Sequence, residues 1–224
     1  VSERPETDLA DATVDELRLA LAGQIAAAAA FDGWTEAAVA TAAADLGVDP
    51  HVAAYAFSQG PMDMIAAWIA SVDAAMAQAL PAAALAALPV HKRIRALLVF
   101  RLEAIFGREE ALRRALAIMA MPQNARRALR LGWASADAMW RLAGDTATDY
   151  NHYTKRTILA GVYAATLAVF ADDRSEGKAE TFAFLDRRLA GVGRFEKAKA
   201  QFLRPEAERF SMARFLGRLR YPAR

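Results

Sequence analysis

The chain has 224 residues, 55% of them apolar and 24% charged, a balance that excludes disordered and fibrous classes and leaves enough length for a substantial core. The absence of cysteine excludes disulfide frameworks, thiolate nucleophiles and Cys-ligated zinc or iron–sulfur centres, and it suits a reducing compartment. The net charge of +2 conceals a division: between Leu19 and His91 there is no Lys or Arg and six carboxylates, whereas Lys92 to Arg224 holds 26 basic residues against 14 acidic ones.

In chain order, residues 1–13 read as an acidic tail. Val1 to Glu16 holds six acidic residues beside Arg4, the opposite of a basic presequence, so the expectation is a chain that stays in the cytoplasm. Alanine and leucine dominate the chain beyond this tail, and no alternating β-branched run occurs, so it reads as all-α. A first helix is expected from Val14 to Phe31, closed at Asp32-Gly33 by a left-handed glycine cap, and a second from Thr35 to Leu46-Gly47. Pro50 suits the first position of a short third helix reaching Phe57, and Gly60-Pro61 opens a fourth that runs to Leu80-Pro81. The uncharged stretch from Ala74 to His91 is mostly alanine and is broken by Pro81 and Pro89, so no membrane span is expected there.

Further helices are expected at Lys92 to Phe106, Glu109 to Met121, Gln123 to Leu142, Tyr153 to Ala171 and Ala179 to Leu189, each with apolar residues at helical spacing. The organisation read from this is an acidic tail at 1–13, a three-helix module with the start of a connecting helix at 14–80, a helical body at 81–204 and a basic amphipathic helix at 205–224.

Three helices with a tight turn between the second and third, then a longer helix and a larger helical body, resemble the layout of the TetR family of repressors. In such an arrangement the third helix must bring cations to DNA phosphates. Here that helix, from Pro50 to Phe57, has no Lys or Arg and follows Asp49, so nucleic-acid binding is not expected.

Catalytic motifs are missing. His51, His91 and His152 are far apart, Asp149-x-x-His152 has no second motif to complete a metal shell, and no Gly-x-Ser-x-Gly elbow occurs. The expectation is no enzyme, no metal and no cofactor. Met119, Met121, Trp133, Met139, Trp140, Tyr163, Leu167 and Phe170 add soft and aromatic bulk to the later helices; this set reads either as ordinary core or as the wall of a site for a flexible apolar lipid.

Asp149 to Arg156 places two tyrosines, an imidazole and two cations at a helix mouth, with Tyr153 and Arg156 three residues apart on one face, the composition of a docking surface. Near the end, Pro205 and Tyr221-Pro222 bracket a helix whose Met212, Phe215, Leu216 and Leu219 form an apolar stripe flanked by Arg214 and Arg218. That helix suits either the surface of an anionic bilayer or packing on its own body.

The run from Asp149 through Arg156, Leu159-Ala160-x-Val162-Tyr163-x-x-Thr166-Leu167, Asp172 or Asp173 with Ser175, and Thr181-x-x-Phe184-Leu185-Asp186-Arg187-Arg188 resembles the ubiquinone biosynthesis accessory family, coenzyme Q protein nine. Gly33-Trp34-Thr35 and Leu46-Gly47 are similar to that family as well, so the resemblance extends from Val14 to Leu189. It implies a TetR-like homodimer that binds an isoprenoid quinone or its precursor, does not bind DNA, and presents that lipid to the di-iron demethoxyubiquinone hydroxylase. It further implies that Asp149, His152, Tyr153 and Arg156 belong to the patch touching the hydroxylase, and that the C-terminal helix holds the protein on the inner face of the cell membrane. His152 stands where the family usually has tryptophan. The alternative reading of the same layout is a TetR-type ligand-sensing transcriptional regulator.

Overall fold

The structure, a computed structural model, describes residue 9, residues 11–146 and residues 150–202, with side chains described up to 146 and from 152 to 194. Among the described residues it is all-α. The helices are α1 (Val14–Asp32), α2 (Glu36–Asp45), α3 (Pro50–Ala56), α4 (Pro61–Ala79), α5 (Ala82–Leu85), α6 (Val90–Glu103), α7 (Glu109–Met119), α8 (Ala125–Leu142), α9 (Tyr150–Asp172) and α10 (Ala179–Phe202). Short 3-10 turns at Pro122–Asn124 and Glu176–Lys178 lead into α8 and α10. Residues up to Asp186 form one compact unit, and Arg187 onward forms another.

Local chemistry explains the boundaries. Thr13 and Glu16 make a reciprocal capping box at the start of α1, where the Thr13 N–H donates to Glu16 Oε2 at 2.9 Å and the Glu16 N–H donates to Thr13 Oγ1 at 3.3 Å. Gly33 ends the helix at φ 73°, a backbone value that favours glycine, but with ψ −179° rather than the expected left-handed cap. Asp49 caps α3 by accepting from the N–H groups of His51 and Val52, and Pro50 takes the first helical position as its fixed φ favours. The helix expected to reach Met121 stops at Met119, because Pro122 disfavours helical backbone in the residue before it and the chain tightens into a 3-10 turn.

Helix α1 is the hub of the N-terminal part. Its Leu17, Leu21, Ala22, Ile25, Ala26 and Ala29 are buried, and it packs against α2, α3, α4 and α7. The alanines let neighbouring backbones approach closely, and Leu21 and Ile25 fill the space between them. Trp34, just after α1, lies under Trp68 of α4 with ring centroids 5.4 Å apart, and its indole N–H donates to the Ala111 carbonyl of α7 at 3.0 Å. The three-helix module is therefore bonded directly into the helices of the body. In the body, α4, α6, α7, α8 and α9 stand around a shared interior space.

Candidate functional site

An apolar cavity of about 550 Å³ opens between α4, α6, α7, α8 and α9. Ile65, Trp68, Ile69 and Val72 of α4 form one wall, and Leu112, Ala115, Leu116 and Met119 of α7 another. Helix α8 contributes Leu129, Gly132, Trp133 and Ser135, while α9 contributes Thr157, Ala160, Gly161, Tyr163 and Leu167. Two features keep the space open. Gly132 and Gly161 have no side chain to fill it, and a Cβ built at either meets nothing within 4 Å. The volume and the predominantly apolar lining are those of a small-molecule site.

One charged side chain stands among the described lining residues. Arg101 of α6 is 2% exposed, ion-paired with Asp73 of α4, and donates from Nη2 to Ser135 Oγ at 3.2 Å; Ser135 Oγ donates onward to Asp73 Oδ2 at 3.1 Å. The guanidinium carbon sits 4.8 Å from the centroid of the Tyr163 ring. This polar trio was missed by sequence reasoning. Its signal was available: Ile94, Leu97, Leu98, Leu102 and Ile105 make a helical stripe, and Arg101 interrupts that stripe on its buried face.

Of the side chains expected to contact lipid, Met119, Trp133, Tyr163 and Leu167 line the cavity. Four expected wall residues lie elsewhere. Met121 is exposed on the turn after α7, and Met139 is fully buried in the core between helices. Trp140 clamps the start of α9 to α8, since its indole N–H donates to the Lys155 carbonyl at 3.1 Å and the Lys155 ammonium lies 5.3 Å from its ring. Phe170 packs edge-on to Phe106 under the Lys178 ammonium. Helical spacing placed these residues on apolar faces but could not tell which faces enclose space.

The expected docking segment divides in two. Tyr153 is 61% exposed and stacks at 5.9 Å on Trp133, whose ring also lies 6.4 Å from His152. This aromatic group therefore sits on the outer side of a residue that lines the cavity. Arg156 turns inward instead: at 2% exposure it donates from Nε to Asp137 at 2.5 Å and from Nη1 to Asp145 at 3.0 Å. Arg156 is thus a structural tie between α8, the α8–α9 loop and α9, with Nε committed to Asp137 and Nη1 to Asp145 and the His152 carbonyl. Burial works against the charge at both ends of the tie. The Asp145 carboxyl nevertheless ends below its ordinary range, held there by Lys155 and Arg156, and Arg156 is held above its own by Asp137 and Asp145. Asp149 and the expected membrane helix with Met212, Arg214, Phe215, Leu216, Arg218 and Leu219 lie outside the described residues. Among the described residues no cluster of three or more His, Asp and Glu could hold a metal, and no helix is long and apolar enough to cross a membrane.

The third helix of the N-terminal module exposes His51, Val52 and Tyr55, and it carries no Lys or Arg.

The fold is similar to that of the TetR transcriptional regulator from Nitrosomonas europaea, with a TM-score of 0.62 over 79% of this chain and 98% of that one, at 21% identity, a likeness of fold only. The family model COQ9 matches residues 125–196, which cover all of α8 and α9. The mitochondrial ubiquinone biosynthesis protein COQ9 of Rattus norvegicus is 34% identical over 164 residues, 70% of this chain and 52% of the rat protein. The Homo sapiens protein of that name is 32% identical over 70% of this chain and 51% of its own length, and the Drosophila melanogaster one 27% identical over 84% and 59%. The chain spans about half the length of the curated relatives it matches. With a TetR-like all-α fold, a COQ9 domain at residues 125–196 and this homology along most of its length, the chain is a relative of the COQ9 ubiquinone biosynthesis proteins.

Proposed function

We propose that this protein is a lipid-binding accessory factor of ubiquinone biosynthesis, which holds an isoprenoid quinone or quinone precursor and presents it to the di-iron demethoxyubiquinone hydroxylase without catalysis of its own. The observation that carries the reading is the apolar cavity of about 550 Å³, two walls of which are α8 and α9, the helices within the matched residues 125–196. Burying an apolar tail there is favourable by about 25 cal/mol for each Å² removed from water, so a lipid gains free energy in the site that a polar metabolite does not. Trp133 adds support for presentation, since it lines the cavity on one side and stacks against the exposed Tyr153 on the other. In this reading Tyr153 and His152 face the hydroxylase, Arg156 and Asp145 hold their helix in place, and the basic helix at 205–221 rests on anionic membrane. A homodimer and attachment at the inner face of the cell membrane belong to the same proposal.

The experiment is extraction. Protein purified from a quinone-producing host is expected to yield an isoprenoid quinone or precursor by solvent extraction and mass spectrometry, at near one lipid per chain. Protein that is empty both in native mass spectra and in extracts defeats the carrier reading.

A further inference from the structure

Lining residues that are also exposed mark where the cavity meets its surroundings: Leu129 of α8, 76% exposed, and Thr157, Gly161 and Ala164 of α9. The rim around them carries one sign of charge. No carboxylate occurs from Met121 to Ala136 or from Lys155 to Ala171, while Arg126 and Arg130 stand exposed on either side of Leu129 in the chain. Neither arginine has an ion pair among the described residues, unlike Arg127 between them, which is paired with the buried Asp63. Local structure does not account for Arg126. It lies in the first turn of α8, where there is no acidic residue and the positive end of the helix dipole disfavours a cation. Met121 and Pro122 add exposed apolar surface at the turn that leads into the same helix.

We infer that this rim, built by Met121, Arg126, Leu129 and Arg130, seats on the surface of an anionic bilayer, and that the apolar cargo passes into the cavity beside Leu129 without entering water. The inference rests on the carrier reading above and adds the surface at which the cavity is loaded, a surface separate in sequence from the basic helix at 205–221. Charge complementarity points to the occupant. Two exposed guanidinium groups beside an apolar side chain match phosphate head groups lying over hydrocarbon, and no carboxylate of the two rim segments opposes them. The cargo points the same way. A long alkyl chain leaves a bilayer for water only at great cost, so a mouth that opened on water would load slowly whatever the affinity of the cavity. The α9 side of the mouth is unobstructed, since a Cβ added at Gly161 meets nothing within 4 Å. Trp133 follows Leu129 by one turn of α8 and carries Tyr153 on its outer side, so loading and presentation use successive turns of one helix.

The test uses the full chain and separates the rate of loading from the affinity of the cavity. A long-chain alkyl benzoquinone is offered in vesicles of phosphatidylcholine and phosphatidylglycerol, at a vesicle concentration that binds all of the protein. Its arrival is followed in stopped flow by quenching of Trp68 and Trp133, both in the cavity wall. A short-chain benzoquinone added from water gives the equilibrium affinity. The double variant Arg126→Glu, Arg130→Glu is expected to load about 10-fold or more slowly than the wild type, the scale set by two cations at an anionic surface. Its short-chain affinity should be unchanged, because neither side chain lines the cavity. The double variant Arg126→Lys, Arg130→Lys keeps both charges and should load at the wild-type rate. Met121→Asp, which brings a carboxylate to the rim, should also slow loading at constant affinity, and it decides the matter alone if the glutamate variant does not fold. Wild-type loading in the glutamate variant and in Met121→Asp overturns the inference. A matching loss of short-chain affinity overturns it as well, by assigning these residues to the cavity itself. Unchanged loading with lost capture of the hydroxylase gives the face to a protein partner instead. A wild type that binds neither probe overturns the carrier reading, whereas one that binds both but loads independently of the rim variants loses only the loading surface.

Discussion

Arg156 and Tyr153, three residues apart on α9, meet opposite fates, and their substitution should separate folding from docking. Arg156→Ala removes the buried cation shared by Asp145 and Asp137, leaving Asp145 to Lys155 and Asp137 to Arg141, and losing those charge-assisted hydrogen bonds costs about 2 kcal/mol. A clear fall in melting temperature is expected. Tyr153→Ala removes an exposed ring with two aromatic neighbours, Trp133 and His152, together worth about 1 kcal/mol, so its melting temperature should move little while hydroxylase capture falls by about 2 kcal/mol if Tyr153 docks. A pull-down beside thermal melts checks both; unchanged capture by a stable Tyr153→Ala protein removes Tyr153 from the interface. Asp173 supplies a prediction in pH. Burial alone would raise its carboxyl, yet it lies far below the ordinary range, because Oδ1 accepts from the Ser175 hydroxyl and N–H and Oδ2 from the Thr181 hydroxyl and N–H, all within 2.8 Å. A folded-state value below the unfolded one, about 3.9, gives stability fully present above pH ~4 and lost as pH falls further. Asp173→Asn is expected to melt lower at pH 7 and to show a flatter decline as pH falls from about 4 downward. At this scale the sequence revealed residue types more readily than their surroundings. That a cation sits at the mouth of α9 was legible, but its partners lie 19 and 11 residues away, across a loop, and such pairing leaves no local spacing to read.

Elements were far more legible, because caps and breakers act over three or four residues. Thr13, Pro50, Gly60-Pro61 and Glu109 each begin a helix at or beside the expected position. Two departures have physical causes. Helix α5 is a single turn, too short for any periodicity to announce it, and is anchored by the buried Leu85. Helix α10 continues to Phe202, beyond the expected end at Leu189, since Gly191 and Gly193 cost only about 1 kcal/mol each in a helix and the Lys- and Ala-rich stretch after them favours one. At this scale too stands the prediction for α3. A helix that exposes His51, Val52 and Tyr55 but has no Lys or Arg cannot release the counterions that drive DNA association, so no duplex shift is expected even at low salt, where such binding is strongest. A gel shift that weakens steeply with added salt would revive the regulator reading.

For the whole molecule, the decisive property is an interior that is left incomplete. Interiors of this size are ordinarily packed without large voids, so a cavity of about 550 Å³ is a stability deficit that a ligand can repair. Gly161→Leu fills part of that space from the α9 side, where an added Cβ meets no neighbour, and also removes a helix-interior glycine. The variant is expected to melt above the empty wild type yet to carry less than half its lipid by extraction; equal lipid content would show that the cargo sits elsewhere. Only part of this was legible beforehand: Met119, Trp133, Tyr163 and Leu167 were among the expected wall residues, but a set of methionines and aromatics does not distinguish a filled interior from a hollow one. The difference lies in which helices stand apart, and that is set by contacts among α4, α6, α7, α8 and α9 together.

The bond from the Trp34 indole to the Ala111 carbonyl carries a consequence for cooperativity. It joins residues 77 positions apart, is buried, and lies beside Trp68, which belongs to both the N-terminal packing and the cavity wall. A repressor-like head that opened independently of its body would have to break this bond and expose two indoles to water. The head is therefore expected to unfold together with the body, and a fragment holding only α1 to α3 would lack the surface that covers Trp34. The Trp34 indole proton should exchange with solvent only when the whole unit opens, at the rate of the slowest amides in α7.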